Sequence, residues 1–275
     1  MPESGREPQP SSLTPSSAPD ALVLRSDAGG VARLTLNRPR QVNALSMEML
    51  DRLHSMLAAI GDDRSVRVVV IAGAGPNFCA GHDLKEMLAN STEPFLSALF
   101  ARCCEVMQAI ESLPQPVVAR VHGIATAAGC QLVAACDMAV ATDDSRYATS
   151  GINYGLFCAT PAVPVSRHVS RKRAFEMLMT GEFIDAHTAL AWGLVNRVVP
   201  AAELDDEIAR LARSMMEKPA HVVAAGKRFF YSQLETSQAA AYRAAAAHIT
   251  DNMLDEAAQE GATAFTQKRA PSWRE

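Results

Sequence analysis

Two short stretches of small residues carry the strongest chemical signal in the chain. The first is Phe78-Cys79-Ala80-Gly81-His82-Asp83-Leu84, and the second is Gly123-Ile124-Ala125-Thr126-Ala127-Ala128-Gly129-Cys130. Each follows an apolar run and opens a helical pattern. Small side chains let backbone N–H groups approach a ligand, and a helix amino end aims several of them one way. Two such loops meeting at one point could hold an oxygen on which negative charge develops. The same residues would also serve close packing of strand on helix, so composition leaves both readings open. Other catalytic patterns are missing. No GxGxxG, GxxxxGK[ST], HExxH or GxSxG occurs, and the seven histidines show no metal-ligand spacing. Dinucleotide, P-loop, zincin and nucleophile-elbow chemistry therefore lack their motifs.

The elements that would position these loops read as an alternating α/β pattern. ALVLRSD and VARLTLN alternate about a DAGG turn, which predicts a β-hairpin. Ser46 has the position of an N-cap for a helix running to Ile60, with Met49, Leu50, Leu53, Met56 and Leu57 on one face. VRVVVIA, from Val66 to Ala72, is apolar throughout, as a strand buried on both faces would be. A short helix is expected over Leu84–Met87 and a longer one over Pro94–Ser112. PVVARV and Met138–Ala141 read as further buried strands, with the second small-residue loop turning into a helix between them. Crossovers of this length suit parallel pairing. Beyond Val199 the pattern is helical only, including the amphipath Leu204–Met216 and the Ala-rich AAAYRAAAAHI. The expected organisation is a disordered tail over 1–20, an α/β core over 21–200 and a helical region over 201–275.

Composition bounds the function. The chain has 275 residues, 48% of them hydrophobic, enough for one large domain. Lys plus Arg is 26 and Asp plus Glu is 30, a net charge of −4, which argues against a globally basic nucleic-acid binder. No apolar run approaches the roughly 20 residues of a membrane span. The six cysteines form no CxxC and lie in apolar or small-residue surroundings, as buried free thiols in a reducing compartment would. Residues 1–20 are rich in Pro and Ser, contain one base and three acids, and lack an apolar segment. They resemble neither a mitochondrial presequence nor a secretory signal, so a cytoplasmic location is expected.

FCAGHDLKEM resembles the [FS]xAGxD[LI] motif of the enoyl-CoA hydratase/isomerase (crotonase) superfamily. NRPRQVNALS, PVVARVHGIATAAGCQLVAACDMAVA, TGEFIDAHTALAWGLVNRVVP and EGATAFTQKR agree with the same superfamily in the same order, over about residues 22–270. HDLKE, AAGCQLVAACD, INYGLFCATP and FTQKRAPSW particularly resemble one subgroup of it. The resemblance implies a crotonase-like spiral of ββα units with a C-terminal helical trimerisation region, in trimers or hexamers. It implies an acyl-CoA or enoyl-CoA thioester as substrate or ligand, with no permanently bound cofactor, no metal, no nucleic acid and no membrane partner. The backbone N–H groups of His82 and Ala128 would form the oxyanion hole. Val42, Ala44, Ala80, Asp83, Leu84 and Ala127 would lie along the CoA channel. Phe265 and Lys268 would reach the nucleotide end of CoA, often in an adjoining subunit.

The chain departs from the hydratase pattern at the reacting centre. Where hydratases place two glutamates around the attacking water, this sequence has Gln131 and Gly151. A carboxamide can hydrogen-bond but cannot exchange a proton near neutral pH, and glycine has no side chain. Standard hydration should be severely impaired. Other thioester reactions, such as decarboxylation or hydrolysis, remain open, as does a non-catalytic acyl-CoA-binding or regulatory role. Among nearby groups, Asp83 is expected to cap the helix that follows it, and Glu86 to face solvent or pair with a base. Asp137 is expected to be structural. Tyr154 and Cys158 would line the acyl pocket, the latter as a buried thiol. The His82 ring is expected to point toward solvent or the CoA diphosphate.

Overall fold

A computed structural model describes residues 21–273. The tail expected over 1–20 lies outside the described residues. The hairpin forms as its alternation predicts: β1 (Val23–Ala28) pairs antiparallel with β2 (Val31–Leu36), from Val23 opposite Leu36 to Ala28 opposite Val31. The other long strands join in parallel. β2 pairs with β3 (Val68–Gly73), β3 with β4 (Val117–Val121), β4 with β6 (Met138–Thr142), and β6 with β9 (Arg197–Val199). A second, three-stranded sheet holds β5 (Ile124–Thr126), β7 (Arg146–Ala148) and β8 (Ile184–Asp185). The short β5, inside GIATAAG, is not legible as a strand from sequence.

The six-stranded sheet separates two apolar layers. Val69 and Ile71 of β3 enter the main core, while Val68 and Val70 face a second cluster with Val118, Val140, Leu204, Ile208, Leu211 and Ala212. This is why the VRVVVIA run shows no polar alternation. The main core is covered by α1 (Met47–Gly61) and α3 (Glu93–Ser112), packed on each other. α1 buries Met49, Leu50, Leu53, Leu57 and Ile60, a helical repeat, and the Ser46 hydroxyl caps it by accepting from the Met49 N–H.

The opposite layer is supplied by α8 (Leu204–Met216), which packs on β3, β4 and β6. Residues 201–273 contain no strand, as expected, but their first helix belongs to the core sheet. Asp205 fixes it there through Arg33 of β2 and Arg120 of β4, at 2.7 Å each. The remaining helices, α9 (Ala220–Leu234), α10 (Gln238–Leu254) and α11 (Glu256–Thr266), pack in sequence on one another. α9 and α10 have no fully buried residue. One sheet edge is β1, where Arg25 is ion-paired to Asp27 and Asp63. The other is the three-residue β9.

Candidate functional site

The two small-residue loops meet. Cys79 bridges Ala125, its N–H donating to the Ile124 carbonyl and its carbonyl accepting from the Thr126 N–H. A Cβ on Gly81 would lie 2.9 Å from Ala127 Cβ and 3.0 Å from Ala128 N, and one on Gly129 only 2.1 Å from the Cys79 carbonyl oxygen. Glycine at 81 and 129 is what lets the two backbones approach. A third segment joins from the other side. Leu45 N–H donates to the Gly81 carbonyl, Asp83 N–H to the Leu45 carbonyl, and Ala80 N–H to the Val42 carbonyl. In this parallel bridge Leu45 uses the groups flanking His82, so the His82 N–H has no acceptor among the described residues.

The second such donor is Ala128, the first residue of α4 (Ala128–Ala135), whose N–H has no acceptor among the described residues. Its cap, Ala127, has φ 50° and ψ −120° and makes no side-chain capping bond. A non-glycine residue in that region stores about 1–3 kcal/mol of strain, and such strain clusters at ligand sites. The Ala127 N–H is tied to the Ala148 carbonyl (2.9 Å), and Thr126 Oγ1 to Ser150 Oγ (2.7 Å), which brings the Gly151 segment alongside. Of the residues expected at the site, Val42, Ala44, Ala80, His82, Asp83, Leu84, Ala127 and Ala128 therefore lie on neighbouring segments. Gln131 is one turn into α4, and Gly151 follows the strand that pairs with β5. Phe265 is 84% exposed near the end of α11, and Lys268 follows in a left-handed conformation.

The side chains show what the loops can do. Gln131 is 2% exposed and its Oε1 accepts from the Cys103 thiol at 3.9 Å. Gly151 has no room for a side chain: a Cβ there would sit 2.6 Å from the Leu156 carbonyl oxygen and 2.8 Å from Cys158 Sγ. Cys158 is a buried thiol, its proton affinity raised by burial. Tyr154 is 71% exposed. Asp83 caps α2 (Leu84–Ala89) by accepting from the Lys85 and Glu86 N–H groups, and Arg38 pairs with it at 2.9 Å. Glu86 is part-buried and has no ion pair with a base among the described residues. Its Oε2 accepts from the Met47 N–H at 3.0 Å, adding a carboxylate to the amino end of α1. Both nearby carboxylates are thus committed to helix starts.

His82 differs from expectation. Its ring does not reach for solvent. It meets Phe100 edge-on with centroids 5.3 Å apart, and Nε2 is enclosed without a hydrogen-bond partner among the described residues. Burial lowers its pKa from 6.5 to about 4, so the ring is neutral near pH 7. Phe100 and Cys103 stand one turn apart on α3, so that helix receives both the His82 ring and the Gln131 carboxamide. Sequence reading missed Asn43. It is wholly buried, at φ 53°, and its amide donates to the carbonyls of Ala74, Asn77 and Phe78, while Oδ1 accepts from the Arg38 N–H. It is the clamp that holds the first loop to its neighbour. A concavity of about 650 Å³ lies elsewhere, between α3 and α9, with Gln108, Glu111, Arg228 and Tyr231 in its wall.

The enoyl-CoA hydratase/isomerase family pattern matches residues 26–275. The human protein named enoyl-CoA hydratase domain-containing protein 3, mitochondrial, is 46% identical over 244 residues, 89% of this chain and 80% of that one. The crystal structure of human enoyl Coenzyme A hydratase domain-containing protein 3 superposes with TM-score 0.89 at 44% identity, covering 92% of this chain and 100% of the other. That of an enoyl-CoA hydratase from Mycobacterium smegmatis gives TM-score 0.91 at 55% identity, covering 92% and 99%. The fold is that of the crotonases, and the subgroup singled out by HDLKE and AAGCQLVAACD is that of the human relative. The chain belongs to the enoyl-CoA hydratase/isomerase family.

Proposed function

We propose that the chain binds acyl-CoA thioesters and polarises the thioester carbonyl between the backbone N–H groups of His82 and Ala128. The observation that carries this reading is the convergence of the two loops with both amides lacking an acceptor among the described residues and Ala127 held in a strained conformation between them. Fixed donors aimed at one oxygen favour an enolate over a neutral carbonyl, and they do so without reorganising. Val42, Ala44, Ala80, Asp83, Leu84 and Ala127 would form the channel for CoA. Phe265, 84% exposed, and Lys268 would meet the nucleotide end of CoA in an adjoining subunit. The exposed apolar residues of α9 and α10, among them Phe230, Tyr242, Ile249 and Leu254, support assembly as a trimer or hexamer.

Enoyl-CoA hydration by a carboxylate pair is not supported. Gln131 cannot exchange a proton, Gly151 is walled in by Leu156 and Cys158, and Asp83 and Glu86 are engaged elsewhere. This favours ligand binding, or a thioester-enolate reaction in which substrate or water supplies the proton. Titration calorimetry with short acyl-CoA thioesters and their free acids, beside a turnover screen of the same thioesters, tests the proposal. Thioesters should bind and free acids should not; equal affinity for both refutes it. Among the described residues no helix is long and apolar enough to cross a membrane. The cytoplasmic location expected from sequence is a proposal that fractionation tests, since the vertebrate relatives are named as mitochondrial proteins.

A further inference from the structure

Asp137 directly follows the C-cap of α4 and is the hub of a buried polar cluster. Its Oδ2 accepts from the Val117 N–H at 2.6 Å and from Lys227 Nζ at 2.7 Å, and its Oδ1 accepts from Tyr231 Oη at 2.7 Å. Lys227 Nζ donates as well to the Ile110 carbonyl at 2.9 Å and the Gln115 carbonyl at 3.0 Å, so its three N–H groups all have acceptors. The side chains of Lys227 and Asp137 are only 7% and 12% exposed. Lys227 and Tyr231 lie one turn apart on α9, which buries no residue completely. The cluster therefore docks the C-terminal helices on the core, and it does so at the carboxy end of α4, at the last turn of α3 and at the start of β4.

α4 is a rod of eight residues, about 12 Å long at about 1.5 Å per residue. Its amino end carries the Ala128 N–H and Gln131 and is not held by a capping side chain. Its own residues are mostly Ala, Gly and Cys, which pack without directional bonds. At its other end the Asp137 cluster supplies directional bonds to the rest of the fold. We propose that Asp137, Lys227 and Tyr231 are positioning residues that fix the carboxy end of α4 against α9, and thereby hold the Ala128 amide in line with the His82 loop. This rests on the oxyanion reading of Ala128. It makes the geometry of the carbonyl site depend on how the C-terminal helices are seated.

The test uses cinnamoyl-CoA, whose carbonyl is conjugated through a double bond to a ring, so that polarisation moves its absorbance to longer wavelength. The full chain is compared with Tyr231→Phe, Lys227→Met and the double variant Asp137→Asn/Lys227→Met. Lys227→Met leaves a carboxylate buried and unpaired and should be strongly destabilised, whereas the double variant leaves no charge unpaired and should recover most of that stability. The expected result is that the double variant recovers stability but not the site. The absorbance shift of the bound probe falls below half of the wild-type value, amide exchange in residues 128–136 rises at least 10-fold, and affinity for the probe changes less than 3-fold. Wild-type shift and exchange in the stable double variant overturn the proposal and leave the oxyanion reading intact. Wild-type protein that binds the probe without any shift overturns both. Should the double variant fail to fold, Tyr231→Phe decides, since it removes one hydroxyl: a partial loss of shift supports the proposal, and an unaltered shift with unaltered exchange overturns it.

Discussion

Lowering the pH from 7 to 4 should destabilise the protein through His82, and the size of the effect follows from the enclosure of its ring. In the unfolded chain a histidine titrates near 6.5, while burial against Phe100 lowers the folded value to about 4. The residue as a whole is only part-buried, but Nε2 itself is sealed off, and the surroundings of the ring nitrogen set its proton affinity. The unfolded state thus binds a proton that the folded state refuses. Stability from this source is complete above about pH 6.5, is lost as the pH falls, and loses nothing further below about pH 4. The gap is about 2.5 pK units, which at about 1.36 kcal/mol per unit is about 3 kcal/mol. The perturbation is His82→Phe, which keeps an aromatic ring against Phe100 and removes the titration. Urea unfolding of both proteins between pH 7.5 and 4 isolates the difference, since every other titrating group is shared. The wild type should lose about 3 kcal/mol relative to the variant across this range. Parallel stability profiles, or a native His82 resonance titrating near 6.5, would refute the reasoning.

Other perturbations probe the remaining contacts. Ala128→Pro removes the proposed donor and should weaken thioester binding or carbonyl polarisation, read by calorimetry and by probe absorbance, with circular dichroism to confirm folding. Rebuilding a hydratase pair with Gln131→Glu and Gly151→Glu would be the direct way to restore acid–base chemistry, worth about 10²- to 10⁴-fold per group where geometry allows. Because any Cβ at 151 collides with the Leu156 carbonyl, the double variant should instead be destabilised by about 1–3 kcal/mol or more and gain little turnover. Ordinary hydratase rates in the unaltered protein, about 1–10³ per second, would show that the acid–base groups have been misplaced. Asp205, whose carboxylate is held well below its usual range by hydrogen bonds from Arg120 and Arg33, should stabilise the fold above about pH 4 and lose that effect as the pH falls further. The urea midpoints of wild type and Asp205→Asn should therefore converge in acid. Sedimentation at micromolar concentration should show a trimer or hexamer, and a monomer would count against the role given to α9 and α10.

Local signals in the sequence are legible where neighbours in the chain settle the outcome. Ser46 and Asp83 are caps because the groups they bond lie two or three residues ahead. The continuous apolar run at β3 reports two buried faces, and both exist. What failed to show depends on partners far along the chain. Glu86 reaches Met47 across 39 residues, and Lys227 reaches Asp137 across 90. Asn43 is a single polar residue outside any periodic pattern, and its three carbonyl acceptors are gathered only by the fold. The direction of the His82 ring is fixed by Phe100, on a different helix, so a loop string cannot give it. The amphipathic stripe of α8 announced a helix but not which surface it covers.

The charged edge of the main sheet has a consequence for how copies of the chain can meet. A sheet edge offers unpaired N–H and C=O groups on which a further strand can add, the route to open-ended aggregation. Here β1 places Arg25, locked between Asp27 and Asp63, along that edge, and the far edge is a strand of three residues beginning at Arg197. An added strand would have to desolvate an ion-paired guanidinium at one end and would find almost no length to pair with at the other. Growth through the sheet is blocked on both sides. Contacts between copies are left to side-chain packing of helices, where geometry can close a ring and stop, and where solubility survives assembly.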